Sequence, residues 1–309
     1  MRMKTLLIPF VALASLGAAP TPKPALAPSE IVAAAPASDW VAIAPADMLV
    51  MTLANGKQAV IQLMPPPFSQ GWIGNIRKLA TARWWDGLSI NRVQDNYVVQ
   101  WGDASEKKAL PKGLVTVAEK DYSILQNASI ALSGITPNAA RGANLNALSE
   151  DVYARYVGYW QGFPIASDGK TTWAIHCYAM VGVGRNLSPD TGSGAELYTV
   201  IGHAPRHLDR NIAVVGRVIS GIEHLSSLPR GTGALGFYEK PEERVTITSI
   251  RLASELPAAD QPRFESLSTG SDSFTFYSVA RANRDDAFFN LPAGGADICN
   301  VPVPIRKKP

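Results

Sequence analysis

VIQLMPPPFSQGWIGNIRKLATARWWDGLSINRVQDNYVVQWGD, residues 60–103, holds a strand, a helix and a pair of strands in close succession. The first apolar run joins the preceding MLVMTLANGKQA to give two short strands around Asn55-Gly56. That dipeptide best supplies positive φ at both centres of a tight hairpin turn. From Gln70 to Arg83 the apolar residues Trp72, Ile76, Leu79 and Ala80 keep helical spacing, and Asp86-Gly87 ends the segment as a turn. LSINRV and NYVVQWGD then read as two strands separated by the turn-prone QDN.

Strand-like runs recur downstream at WAIHCYAMVGV, ELYTVIG, NIAVVGRVI and ERVTITSIRL. Many short strands with one or two helices predict a mainly β fold, an antiparallel barrel or a sandwich. Residues 104–170 carry weaker signals and read as a long irregular insertion with one helix around Glu150 to Gln161. The extension 256–309 contains the alternating run SFTFYSVA and ends in a Pro-rich basic piece with Arg306, Lys307 and Lys308. No internal repeat is present. At the other end MRMK precedes TLLIPFVALASLGAA, the basic, apolar, small-residue order of a secretory signal peptide. Residues 1–19 are therefore expected to be removed on export, with cleavage after Ala18 or Ala19, or as late as Ala27. The apolar run is shorter than the ~20 residues of a membrane span. Residues 20–39 have a Pro- and Ala-rich linker composition, and folded sequence is expected from Trp40.

The 309 residues are 46% hydrophobic and 18% charged, an ordinary globular balance. Lys and Arg exceed Asp and Glu by 29 to 26, and loss of Arg2 and Lys4 with the leader lowers the net charge from +3 to 3 − 2 = +1. No basic stripe marks a nucleic-acid surface. The two cysteines, Cys177 and Cys299, permit one disulfide in an oxidising compartment, although Cys177 in a buried run reads first as a small apolar filler. Gly169-Lys170-Thr171 lacks the earlier glycine of a P-loop, since Pro164 stands there. Gly182-Val183-Gly184 lacks the third glycine of a dinucleotide fingerprint and reads as a turn, and Ser193 misses the hydrolase elbow. His203 and His207 are four apart, but Pro205 between them spoils a metal-binding helical face.

The order of motifs resembles the cyclophilins, the peptidyl-prolyl isomerase barrels, whose pattern is a strand, a helix of the type ENFxxL, YDGxxFHRVI and then GFxxQGGD. Asp86-Gly87, Asn91-Arg92-Val93 and Gln100 with Gly102-Asp103 hold their places in it. MVGVG and GAELYTVIGHAPRHLDRNIAVVGRVISGIEHL resemble the second half more loosely, where SMAxA, GSQFFI, LDG and VFGxVxxGxxV occur. The likeness spans residues 48–255 and implies a closed antiparallel barrel with two capping helices, interrupted by the insertion. It implies no cofactor and no metal, and partners that are unfolded or Pro-containing exported polypeptides, here in the periplasm.

The peptide bond before proline resists rotation because the nitrogen lone pair is delocalised into the carbonyl, with a barrier of ~18–20 kcal/mol. A guanidinium donating to the prolyl nitrogen in the twisted state localises that lone pair. The resemblance gives this catalytic role to Arg92. It makes Tyr97, Val98, Leu197, Tyr198, Leu208 and Ile212 the apolar wall for the proline ring, and Gln100 the holder of the peptide backbone. Asn91 replaces the family's usual His, Glu196 its Gln, His207 a bulky aromatic that contacts cyclosporin in the family, and Ile212 a His. Glu196 brings a carboxylate to the substrate site, with the expectation of a bidentate pair with Arg92 that competes for the catalytic donors. A weak or inactive module that holds Pro-containing segments is the competing reading, and an envelope structural protein anchored by the basic tail is the third.

Overall fold

The computed structural model describes residues 25–125 and 151–308, so the expected signal peptide and the middle of the insertion lie outside the described residues. Eight strands close an antiparallel barrel. In chain order the strands are β1 (Trp40–Ala42), β2 (Met48–Leu53), β3 (Gln58–Leu63), β4 (Ser89–Val93), β5 (Val98–Gly102), β6 (Ile124–Leu125), β7 (Tyr156–Trp160), β8 (Phe163–Ser167), β9 (Thr171–Ala174), β10 (Met180–Val183), β11 (Leu197–Val200), β12 (Val214–Ser220), β13 (Val245–Leu252), β14 (Phe264–Leu267) and β15 (Ile305–Lys307). The barrel runs β10-β11-β5-β4-β13-β2-β3-β12 and back to β10. Two smaller sheets flank it, β6-β9-β8-β7 from the insertion and the strand that follows it, and β1-β14-β15 joining the N-terminal strand to the tail. The helices are α1 (Pro28–Ala34), α2 (Gln70–Thr81), α3 (Ile222–Ser226) and α4 (Asp272–Ala282). Among the described residues no helix is long and apolar enough to cross a membrane.

Strand β2 reads MLVMTL without the polar alternation of a half-exposed strand, because both of its faces are covered. Leu49, Met51 and Leu53 point into the barrel core, while Met48 and Val50 pack outward with Ile43, Val60, Ala253 and Phe264. Helix α2 packs Trp72, Ile73, Ile76, Leu79 and Ala80 into the main core. Buried Asn75 ties the helix to two loops, donating from Nδ2 to the Val115 (2.8 Å) and Ser193 (3.0 Å) carbonyls and accepting the Val115 N–H at 2.8 Å. Such pairing is required of a buried amide. Asp86, in the expected turn, forms a two-pronged pair with Arg251 at 2.6 and 2.7 Å.

Local readings differ from the structure where a second segment covers or bonds the chain. At Asn55-Gly56 only Gly56 has positive φ (+79°), and the Asn55 side chain instead accepts the Lys57 N–H at 3.0 Å. A hairpin turn with positive φ at both centres occurs instead at Gln161-Gly162 (+45° and +86°), between β7 and β8. The segment Glu150 to Gln161, expected to hold a helix, holds strand β7 within its described part, 151–161, and the strand's residues are mostly aromatic and β-branched. The insertion and tail, expected to be irregular, contribute strands β6 to β8, β14 and β15 and helix α4. SFTFYSVA alternates in polarity yet is helical, because the Ser271 hydroxyl caps the Phe274 N–H at 3.1 Å and Phe274, Tyr277 and Ser278 bury one face. Within the expected linker, Pro28 to Ala34 forms α1, which packs on α4. WAIHCYAMV is not one strand. Strand β9 ends at Ala174 and β10 starts at Met180, and in the gap Cys177 is disulfide-bonded to Cys299 rather than acting as a filler. Gly182, read as part of a turn, lies within β10. The basic tail is partly engaged, since Arg306 pairs with Glu265 at 2.9 Å and stacks on Trp40.

Candidate active site

Adjacent strands place Arg92 opposite Gln100, Gln100 opposite Tyr198, and Tyr198 opposite Gly182, so one row crosses β4, β5, β11 and β10. Side chains along a strand alternate between faces, so Val98, Gln100, Glu196 and Tyr198 share the outer surface, while Val99, Trp101 and Leu197 enter the barrel core. A cavity of about 700 Å³ opens over this row. Arg92, Tyr97, Val98, Gln100, Glu196, Tyr198, Leu208 and Ile212 line it. Tyr97, Val98, Tyr198, Val200, Leu208 and Ile212 form a separate apolar cluster beside the arginine. Two expected substrate-binding residues, one of them from the wall, fall elsewhere. Leu197 is 1% exposed in the core, as the alternation requires, and His207 is exposed outside the cavity, its ring stacked on Tyr97 at 6.2 Å.

Arg92 donates from Nε to the Leu235 carbonyl at 2.7 Å, from Nη1 to Gln100 Oε1 at 3.2 Å, and from Nη2 to Gln94 Oε1. The Tyr97 and Phe237 rings flank its guanidinium at 5.7 and 5.3 Å. Burial lowers its pKa from the usual value, but an arginine stays protonated. Three of five N–H donors are engaged in this way, which leaves two.

Glu196 does not pair with Arg92. Its carboxylate accepts the Asp103 N–H at 2.6 Å and side-chain hydrogen bonds from Asn91 and Gln100. Burial pushes its pKa up to about 7 against the opposing effect of those donors. Gly102, with φ +154°, is what admits it, since a Cβ there would lie 1.9 Å from Glu196 Oε1. Gln100 is thereby oriented, with its oxygen toward Arg92 and its nitrogen toward Glu196. The Trp85 indole fixes the start of β11 by donating to the Ala195 carbonyl at 2.8 Å.

Sequence reasoning missed the loop 229–244. Leu235 and Phe237 also line the cavity, the loop is tied to β4 by the Tyr238 N–H donating to the Asn91 carbonyl at 3.0 Å, and Leu235 adopts φ +56°. The only signal was an apolar pair among glycines, in GTGALGF. Burial holds the Tyr198 phenol well above its usual pKa, so its hydroxyl stays protonated.

The family model for cyclophilin type peptidyl-prolyl cis-trans isomerase/CLD matches residues 72–252. No curated protein matches the chain. Among solved structures, a cyclophilin from Hirschia baltica is 20% identical with a TM-score of 0.61, the match covering 86% of this chain and 92% of that one, which establishes likeness of fold. A cyclophilin-type isomerase from Cryptosporidium parvum, crystallised in the presence of the dipeptide Ala-Pro, is 10% identical with a TM-score of 0.38, over 66% of this chain and 98% of that one, too slight a likeness to bear on the site. The family match takes in more than half of the chain, including β4 with Arg92 and its neighbours β5, β11 and β10, and the chain therefore belongs to the cyclophilin-type peptidyl-prolyl cis-trans isomerases.

Proposed function

We propose that this cavity catalyses rotation about Xaa-Pro bonds, with the proline ring against the Tyr97, Val98, Tyr198, Leu208 and Ile212 surface and Arg92 stabilising the twisted imide. The juxtaposition of Arg92 with that apolar cluster on one barrel face carries the reading. A charge-assisted hydrogen bond made chiefly in the twisted state contributes about 1.5–3 kcal/mol, and each ~1.4 kcal/mol is tenfold in rate. Arg92→Ala is therefore expected to lower turnover of a short Xaa-Pro peptide about 10- to 100-fold with peptide affinity nearly unchanged. Arg92→Lys should recover little, because a point charge does not reproduce the planar fork. Turnover by Arg92→Ala within about twofold of wild type, ~0.4 kcal/mol, would refute the assignment. The engagement of three Arg92 donors by Leu235, Gln94 and Gln100 favours a second reading, a module that holds Pro-containing segments without turning them over. Wild-type turnover separates the two.

Exported, Pro-containing polypeptides in the periplasm are the proposed substrates. The basic, apolar, small-residue leader and the Cys177–Cys299 disulfide, a bond that persists in oxidising compartments, support this location. An intact mass from cells that retained Met1 to Ala19 would exclude cleavage of the leader.

A further inference from the structure

Tyr198 is pinned by its hydroxyl. That oxygen lies 2.9 Å from His176 Nε2, on a ring with no exposed surface. His176 Nδ1 lies 2.9 Å from Asp209 Oδ1, which also accepts the His176 backbone N–H at 3.0 Å. A carboxylate only accepts, so in the neutral imidazole Nδ1 carries the proton and Nε2 accepts from the tyrosine. Asp209 Oδ2 accepts from Arg206 Nε at 2.7 Å, and Arg206 continues to Asp151 at 2.7 Å and Asp297 at 3.6 Å. Asp151 leads into β7 of the insertion. Asp297 stands two residues before Cys299, which is bonded to the residue following His176. Insertion and tail thus both grip the short connection between β9 and β10.

A phenylalanine at 198 would present the same apolar ring to the cavity without needing a buried partner, whereas a buried phenol must find one. The hydroxyl therefore adds a constraint on where the ring sits. Gly182 makes the position possible from the other side, since a Cβ there would lie 2.3 Å from that hydroxyl.

We propose that His176 and Asp209 are positioning residues for the proline pocket, holding Tyr198 through its hydroxyl, and that the insertion and tail bear on the pocket through this chain. The proposal rests on the reading of the cavity as a prolyl site. It is tested in the full chain by NMR titration with a short Ala-Pro-containing peptide, alongside turnover of an Xaa-Pro peptide. Tyr198→Phe should raise Kd and KM about 5- to 10-fold with kcat within twofold, a split that simple loss of folded protein does not produce. His176→Gln should fall in the same range, and the double variant should be no weaker than the worse single. Asp151→Asn should weaken binding two- to threefold in the wild-type background and not in Tyr198→Phe. Single variants with unchanged Kd, or effects that multiply in the double variant, would overturn the positioning role. An equal Asp151→Asn effect in both backgrounds would overturn the link to the insertion. If His176→Gln does not fold, Tyr198→Phe alone decides. Peptide binding without turnover refutes the isomerase reading and leaves this proposal standing. Turnover indifferent to Tyr198→Phe does the reverse, and a wild type that neither binds nor turns over peptide sinks both.

Discussion

Replacing Glu196 by Gln separates a carboxylate held by amide donors from one paired with Arg92. Burial raises the folded-state pKa from an ordinary 4.5 to about 7, so between those values the folded protein binds more protons than the unfolded chain. The corresponding stability is fully present below pH 4.5 and is lost as pH rises through 7. The distance from 4.5 to about 7 sets a ceiling of about 3.4 kcal/mol at ~1.36 kcal/mol per tenfold in proton affinity, and relaxation around a partly solvated group reduces this to about 1–3 kcal/mol. Gln does not titrate and keeps an oxygen for the Asp103 N–H. Any cost of rearranging the donors of Asn91 and Gln100 is the same at every pH, so the informative quantity is how the difference changes. Urea unfolding followed by tryptophan fluorescence, with the disulfide intact, should show Glu196→Gln gaining about 1–3 kcal/mol on wild type between pH 5 and pH 8.5. A carboxylate paired with Arg92 would have a depressed pKa, and wild type would instead lose stability on acidification. A flat difference, or one of that opposite sign, refutes the reasoning.

Gly182→Ala should push against the Tyr198 ring, destabilising the protein by about 1–3 kcal/mol and weakening Ala-Pro peptide binding, both measurable by the urea and NMR assays. Cys299→Ser opens a covalent link across 122 residues and should lower unfolding free energy by about 2–4 kcal/mol, an effect that reductant should reproduce on the wild type. Cyclosporin should inhibit turnover weakly, because His207 offers little apolar area and is engaged with Tyr97, and His207→Trp should tighten it. Potent inhibition of the wild type would contradict this.

Helix α2 was legible because its apolar residues keep one period, and the hairpin and strands β4 and β5 because their short apolar runs are bounded by turn residues. Arg92, Gln100 and Tyr198 were legible through their motifs. Leu197 was assigned to the wrong surface although the pleat forbids it to share a face with Glu196 and Tyr198, an error that alternation alone corrects. Glu196 was expected on Arg92 because charge suggests a pair, but the Asp103 amide is nearer and adds no second buried charge. Other features depend on distant partners. The Leu235 carbonyl reaches Arg92 across 143 residues, and His176 meets Asp209 across 33, with no local pattern announcing either. The α4 helix was hidden because its exposed Phe276 imitates a strand's alternation.

Phe264 lies with Met48, Val50 and Val60, so the outer side of β2 and β3 is interior rather than surface. A shortened chain ending at Glu255 would bare two neighbouring strands rich in Met, Val and Ile. Apolar, β-prone strands stripped of their cover invite association with further chains. The barrel and its extension are consequently not interchangeable modules: a lineage that shed the tail would first need polar replacements at Met48 and Val50, and a fragment ending at Glu255 is expected to aggregate where the full chain does not.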